Sequence, residues 1–469
     1  MKIRNPRTGA YDYELKCDSA AEVQSKAASL RKHQQAWKDL TLEKRIAIVQ
    51  QFAHSLVDHK QALFDALSVD TGRRKITKIE IDGTIGMIHG KCASVPFVIG
   101  AAPKRKSMTN PTVFIQQERT PYELIGVISP WNFPLLLALI DSISALLAGC
   151  AVLLKPSEVT PRFIDALEGA LRQIPELHEV FHVVRGGAEV GQELVDQVDA
   201  VCFTGSVPTG KKIAKRCAER FIPAFLELGG KDPAIVLQTA DLEITTDAIL
   251  RSCAGATGQA CQSLERIYVQ DSIYDDFIKM LCDKANQVTL NNDYRNGGTL
   301  GPLIFEQQAQ KIEEQLKDAV AKGATVLTGG KIQNLGGGLW LSATIVVDVD
   351  HQMSIMRDET FGPVIPVMPF TTVQEAISLA NDSNYGLSAS VFGSEEEACA
   401  VAAHIDAGGI SINDASLTNQ VFDAEKNSFK ESGMNGSRMG ADGFLRFFRK
   451  KALLIQSGKA ADIFTQQED

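Results

Sequence analysis

The chain has no CxxC pair and no HExxH motif, and its eight histidines form no ligand set. This removes the common dithiol and zinc frameworks, and no metal is expected. The nine cysteines, an odd number, are scattered from Cys17 to Cys399, which predicts reduced thiols in a cytoplasmic protein rather than a disulfide scaffold. Excess positive charge is also missing. The net charge is −9, which argues against nucleic acid as a partner, since phosphate binding needs a basic surface. The first sixteen residues carry no apolar core of a secretory signal. No internal repeat or low-complexity linker interrupts the chain. One apolar run, 135–154, approaches the length of a membrane span, but Asp141, Ser142 and Ser144 lie inside it, Pro134 precedes it and Gly149 splits it. It reads as a buried helix followed by a buried parallel strand, and no membrane partner is expected.

What is present is a long chain, 469 residues with 44% hydrophobic, enough for two large cores. The 37 glycines suit many tight strand-to-helix turns. Residues 19–70 are helical in pattern, with Leu30, Trp37, Leu40, Ile46, Phe52 and Leu56 at roughly helical spacing. Residues 107–119 read as extended. From 122 onward strands and helices alternate. Strands fall at 124–129, 151–154, 181–184, 199–203 and 233–237, and helices at 135–148, 161–173, 187–195 and 208–220. This alternation predicts a parallel sheet covered on both faces. A second α/β series spans 241–414, with helices at 272–287, 306–322 and 373–380 and strands at 324–328, 364–368 and 390–393. The tail begins as a strand and is expected to end polar and flexible.

The chemistry concentrates in 225–263. This stretch opens with Glu227-Leu228-Gly229-Gly230-Lys231 and closes with Gly258-Gln259-Ala260-Cys261-Gln262. A cysteine beside a glycine and a carboxylate in a Gly-Gly loop suit one mechanism. A thiolate attacks a carbonyl, and the carboxylate later activates the water that releases the acyl group. Upstream, Pro130-Trp131-Asn132-Phe133-Pro134 offers a side-chain amide for an oxyanion. Cys253 is the rival thiol, but it lacks the Gly-Gln context and reads as structural.

At these residues the chain resembles the NAD(P)-dependent aldehyde dehydrogenase superfamily, and the resemblance covers essentially its whole length. It implies an α/β fold with two parallel-sheet domains and a small β oligomerisation arm. Residues 1–106, 120–227 and 427–447 would form the cofactor domain and 228–426 the catalytic domain. Residues 107–119 and 448–469 would form the arm of a homodimer or homotetramer. Cys261 would be the nucleophile, Glu227 the general base, and Asn132 the oxyanion donor with the backbone N–H of Cys261. Lys155-Pro156-Ser157-Glu158 follows a buried strand, where Lys155 and Glu158 would meet the adenosine ribose. A carboxylate there repels a 2′-phosphate, so NAD is expected over NADP. Gly205 and Ser206 belong to Phe203-Thr204-Gly205-Ser206-Val207-Pro208-Thr209-Gly210, which resembles the family's pyrophosphate loop but is not GxGxxG. Trp131 and Gly229 would border the cofactor, Glu359 would hold the nicotinamide ribose, and Phe361 would pack near the ring.

Leu137 and Ile140 would line an apolar substrate funnel. The chain departs from the family at 417–433, where Ala424-Glu425-Lys426-Asn427-Ser428 replaces the usual Pro-Phe-Gly-Gly. Lys426 or Lys430 could there meet the carboxylate of a semialdehyde. The basic aromatic run 446–451 reads as a helix end passing into an intersubunit strand. The expected activity is oxidation of an aldehyde or semialdehyde to the acid. Two alternatives stay open. A CoA-acylating relative commonly lacks a glutamate at the position of Glu227, and a non-catalytic descendant tends to lose the cysteine or cofactor residues.

Overall fold

Apolar β-rich runs and glycine-ended helices build two largely parallel sheets whose strand-end edges meet around one cavity. The computed structural model describes residues 1–100, 103–294, 297–460 and 462. The first sheet has the order Gly433–Met434, Ala224–Glu227, Ala200–Thr204, Leu124–Ile128, Ala151–Lys155, Phe181–Val183. Five strands are parallel and Gly433–Met434 pairs antiparallel at the edge. The middle strands are buried along their length, so each is a continuous apolar run. Helix Pro134–Ala148 starts on a proline and ends where Gly149 takes a φ of 100°. Ser19 and Thr41 cap the outer helices Ala20–Asp39 and Leu42–Asp58.

The second sheet has the order Thr325–Val326, Thr344–Val347, Val364–Phe370, Leu264–Gln270, Asp232–Val236, Ser388–Phe392, Gly409–Ile412. All its strands are parallel except Thr325–Val326. Alternate residues enter opposite cores: Ile235 joins one cluster, Ala234 and Val236 the other. A three-stranded antiparallel sheet joins Phe448–Gln456, Val113–Pro121 and Arg105–Lys106.

The alternation expected from 122 onward is present, with ends shifted by a few residues, but the strand expected at 233–237 in the first series belongs to the second sheet, and the unread strand Ala224–Glu227 takes its place in the first. Several elements go beyond it. Helix Arg74–Val98 follows the helical region 19–70, and helix Leu242–Ala254 and strands Leu264–Gln270, Thr344–Val347 and Gly409–Ile412 complete the second unit. The extended region read at 107–119 is a turn followed by strand Val113–Pro121. Within it, Asn110 side-chain and Ser107 hydroxyl hydrogen bonds replace ladder bonds. The flexible end expected after residue 462 lies outside the described residues. No helix among the described residues is long and apolar enough to cross a membrane.

Topology locates the site. Chain order runs from Leu124–Ile128 outward through Ala151–Lys155 to Phe181–Val183, then crosses back to Ala200–Thr204. The switch point lies between Leu124–Ile128 and Ala200–Thr204, where ligands bind beyond strand carboxyl ends. Asn132, Lys155, Gly205 and Glu227 all lie at those ends. Opposite them, the amino ends of adjacent strands Asp232–Val236, Leu264–Gln270 and Val364–Phe370 carry Gly229, Cys261 and Glu359.

Candidate active site

The two edges enclose a cavity of about 100 Å³ lined by Cys261, Glu227, Asn132, Leu137, Trp131, Gly205, Ser206, Gly229, Glu359 and Phe361, among others. Three side chains far apart in sequence therefore share one small space.

Cys261 sits at the end of a constrained turn. Ala256, Thr257 and Gly258 have φ of 51°, 62° and 65°, a left-handed run that side chains other than glycine disfavour. Gly258 has a second requirement: a Cβ there would stand 2.3 Å from the Gly362 backbone. Gln259 is pinned in turn, its amide donating to the Pro302 carbonyl at 3.2 Å and accepting from the Ile304 N–H at 2.9 Å. The Cys261 side chain is half-buried and open to the cavity. Burial, then the Asp232 carboxyl, push its thiol up to about 12, while Lys426 and Arg438 pull the other way. Cys253, by contrast, is buried in the core with its Sγ 2.9 Å from the Leu264 carbonyl.

The Asn132 side chain is buried, and its Nδ2 donates to the Gln259 carbonyl at 3.0 Å. An amide nitrogen carries two hydrogens, so the second is left for a ligand. Glu227 ends strand Ala224–Glu227 and accepts from the Ser428 hydroxyl at 3.0 Å. Leu137 reaches the cavity, but Ile140 is 3% exposed and packs in the first core. Three residues further along a helix is about 4.5 Å deeper along its axis, which takes Ile140 below the cavity floor. Lys426 is half-buried, and its ammonium has no hydrogen-bond or ion-pair partner among the described residues. Lys430 is turned away: its ammonium donates to the Asn381 carbonyl at 2.8 Å and stands 3.6 Å from Asp406.

The residues expected at a dinucleotide fit one. Ser206 precedes helix Val207–Glu219 without a side-chain cap, so the first amides are open to an anion. Gly205 has no room for a side chain, since a Cβ would stand 2.5 Å from the Phe203 ring. A Cβ on Gly229 would stand 2.6 Å from the Glu359 carboxylate, which also accepts from the Gly230 N–H at 3.2 Å. Burial and nearby Glu265 raise the Glu359 carboxyl to about 7. Phe361 holds a φ of 53° and meets Trp131 edge-on at 5.3 Å. Buried Lys155 is paired with Glu158 at 3.0 Å, and the Ser157 hydroxyl accepts from the Val159 N–H at 3.2 Å.

Sequence reading missed the support for this wall. Glu265 is buried in a central strand, accepts Lys231 at 2.8 Å, and takes the N–H groups of Thr360 and Phe361 at 2.7 Å each. It therefore fixes the loop that carries Glu359 and Phe361. The signal available was a charged pair, Glu265-Arg266, inside an otherwise strand-like run. Gln308, on the cavity wall, and Ser428 carry no comparable signal. Among the described residues no group of three or more His, Cys, Asp or Glu is arranged to hold a metal ion.

The sequence and fold have close counterparts. A sequence model of the aldehyde dehydrogenase family matches residues 1–453. A Mycolicibacterium smegmatis protein provisionally named succinate-semialdehyde dehydrogenase [NADP(+)] is 36% identical over 92% of this chain and 83% of its own length. The solved Anabaena variabilis protein PutA, provisionally named an aldehyde dehydrogenase, is 48% identical, covers 98% of each chain and has a TM-score of 0.96. Betaine aldehyde dehydrogenase from Staphylococcus aureus, solved in complex with NAD+, is 30% identical with a TM-score of 0.92, covering 98% of this chain and 92% of that one. The chain belongs to the aldehyde dehydrogenase family, and its activity is the NAD(P)-dependent oxidation of an aldehyde.

Proposed function

We propose that this enzyme oxidises a short carboxylate-bearing aldehyde, a semialdehyde, to the diacid through a hydrolysed acyl-enzyme. The observation that carries the reading is the single cavity shared by Cys261, Glu227 and Asn132. The Cys261 thiolate adds to the aldehyde carbon. The Asn132 side-chain N–H and the Cys261 backbone N–H steady the oxygen that becomes charged. NAD(P)+, when bound, would supply the acceptor for the hydride that leaves this carbon. Glu227 then takes a proton from water, which attacks the Cys261 thioester and frees the acid and the thiol.

Glu359 would accept from the nicotinamide ribose hydroxyls, Phe361 and Trp131 would wall the ring, and Gly229 would leave room beside it. Ser206 and Gly205 meet the pyrophosphate at the open helix amides. Ser157, Lys155 and Glu158 bound the adenosine ribose. Because Glu158 already pairs with Lys155, that ammonium is not free for a 2′-phosphate, which supports NAD over NADP. Leu137 supplies apolar wall, and the unpaired Lys426 supports a carboxylate at the far end of the substrate. The relative named for succinate semialdehyde is consistent with this class.

Residues 1–106, 120–227 and 427–447 serve the cofactor and 228–426 the chemistry. Residues 107–119 and 448–469 are the assembly arm of a homodimer or homotetramer in the cytoplasm. The nine-residue strand Phe448–Gln456 with exposed Leu454 supports that arm. Glu227 on the cavity wall supports hydrolysis over transfer to CoA. A panel of neutral and ω-carboxylate aldehydes, followed by NADH absorbance with and without CoA, tests the reading. Free acid formed fastest from semialdehydes is expected. Acyl-CoA as product, or no turnover of any aldehyde, would refute it.

A further inference from the structure

Arg73 is a buried cation with no carboxylate in contact among the described residues. It is 4% exposed, and burial lowers its guanidinium to about 10. Glu80 opposes that lowering from a distance but makes no ion pair with it, so the hydrogen-bond partners of the buried fork are informative. Nη2 donates to the carbonyl of Asn132, and Nη1 donates to the carbonyl of Ala256 at 3.1 Å. Asn132 carries the proposed oxyanion amide. Ala256 opens the left-handed turn that delivers the Cys261 N–H and thiol. These two segments come from opposite sheets, and one planar fork spans them.

The fork is itself rigidly mounted. Arg73 precedes the 25-residue helix Arg74–Val98, its N–H donates to the Thr71 hydroxyl at 3.3 Å, and its carbonyl accepts from the Thr77 hydroxyl. From the same helix, Glu80 accepts the N–H groups of Leu135 at 2.8 Å and Leu136 at 3.2 Å. Those amides open the helix that begins directly after Asn132 and Phe133. Asn132 and the helix start that follows it are thus both tied to Arg73 and the long helix after it. The third tie is the Asn132 amide donating to the Gln259 carbonyl, which closes a ring through the turn that Arg73 holds at Ala256.

We infer that Arg73 is a positioning residue that sets the separation between the Asn132 amide and the Cys261 turn. The inference rests on the assignment of Asn132 as oxyanion donor. A lysine would keep the charge but offers one point of donation, not a two-pronged fork.

The test is a double-mutant cycle read in single-turnover NADH formation, with NAD+ affinity and Tm recorded for each variant. Asn132→Ala is expected to slow the step by about 10²–10³-fold. Arg73→Met should slow it by about 10- to 100-fold with NAD+ affinity unchanged, and Arg73→Lys should recover part of the loss. In the Asn132→Ala background, Arg73→Met should cost less than about threefold, because the donor it places is gone. A purely structural role would leave the two losses multiplicative, and that result, or a wild-type rate for Arg73→Met, would overturn the inference. If Arg73→Met does not fold, the cycle is run with Arg73→Lys under the same criterion. A full rate for Asn132→Ala would instead refute the donor assignment, and the positioning role with it.

Discussion

Lys426→Met removes a half-buried ammonium whose charge acts on the Cys261 thiol and which has no hydrogen-bond or ion-pair partner among the described residues. If it holds a substrate carboxylate, the loss is one hydrogen bond to a charged group, net about 1.5–3 kcal/mol. The bare Coulomb attraction of such a pair at 4 Å and an effective dielectric of 20 is about 4 kcal/mol, so the estimate lies below that bound. Converted at 1.4 kcal/mol per tenfold, kcat/KM for a semialdehyde should fall about 10- to 100-fold. Lys426 also opposes the upward push on the Cys261 thiol, so its removal slows every aldehyde. That common effect cancels in a ratio. The assay is therefore kcat/KM for an ω-carboxylate aldehyde divided by that for a methyl-ended aldehyde of equal length, in wild type and variant. Lys430→Met is the control, since its ammonium is occupied by Asn381 and Asp406. A Lys426→Met ratio within about twofold of wild type would refute the carboxylate anchor.

Gly258→Ala combines a φ of 65° with a Cβ 2.3 Å from the Gly362 backbone. It should lower Tm and abolish turnover, the left-handed conformation alone contributing about 1–2 kcal/mol; a variant with wild-type Tm and rate would contradict the geometry. The pH dependence of Cys261 follows from its raised thiol. The thiolate is the reactive form, so with the thiol at about 12 the rate of iodoacetamide labelling without cofactor should climb about tenfold per pH unit between 7 and 10. A plateau near pH 8 would contradict burial as the controlling cause. Glu158→Gln removes the carboxylate that pairs with Lys155, so the NADP/NAD ratio of kcat/KM should rise about tenfold or more. An unchanged ratio would show that another group selects the nucleotide.

The sequence made four strands of the first sheet legible because they are short, mostly buried apolar runs, such as Ala151–Lys155 after Gly149, whereas Ala224–Glu227 and the exposed edge strand Gly433–Met434 carry no such run of their own. Arg74–Val98 was hidden by Gly83, Gly86, Gly90 and Pro96, each of which lowers helix propensity while long-range packing holds the helix. Leu264–Gln270 was hidden by Glu265 and Arg266, whose charges are met mainly by partners far along the chain, Lys231 and the carbonyls of Leu379 and Ala380. The same division runs through the site. Cys261, Glu227 and Asn132 stand in recognisable local settings, and they meet in one cavity. Ile140 failed because spacing on a helix gives direction but not depth. Lys430 failed because a competing carbonyl and carboxylate lie where no local pattern shows them. The roles of Arg73 and Glu265 come only from contacts across the two sheets, which a linear pattern does not carry.

The central claim is that Cys261 carries the acyl group and Glu227 removes it. Glu227→Gln keeps the side chain's size and its place beside Ser428 while removing the base. With NAD+ and aldehyde, this variant should form NADH in one burst equal to the enzyme concentration and then stop. Mass spectrometry of the quenched protein should find the acyl mass on the peptide containing Cys261. Continued turnover at the wild-type rate, or an acyl mass on any other residue, would contradict the account.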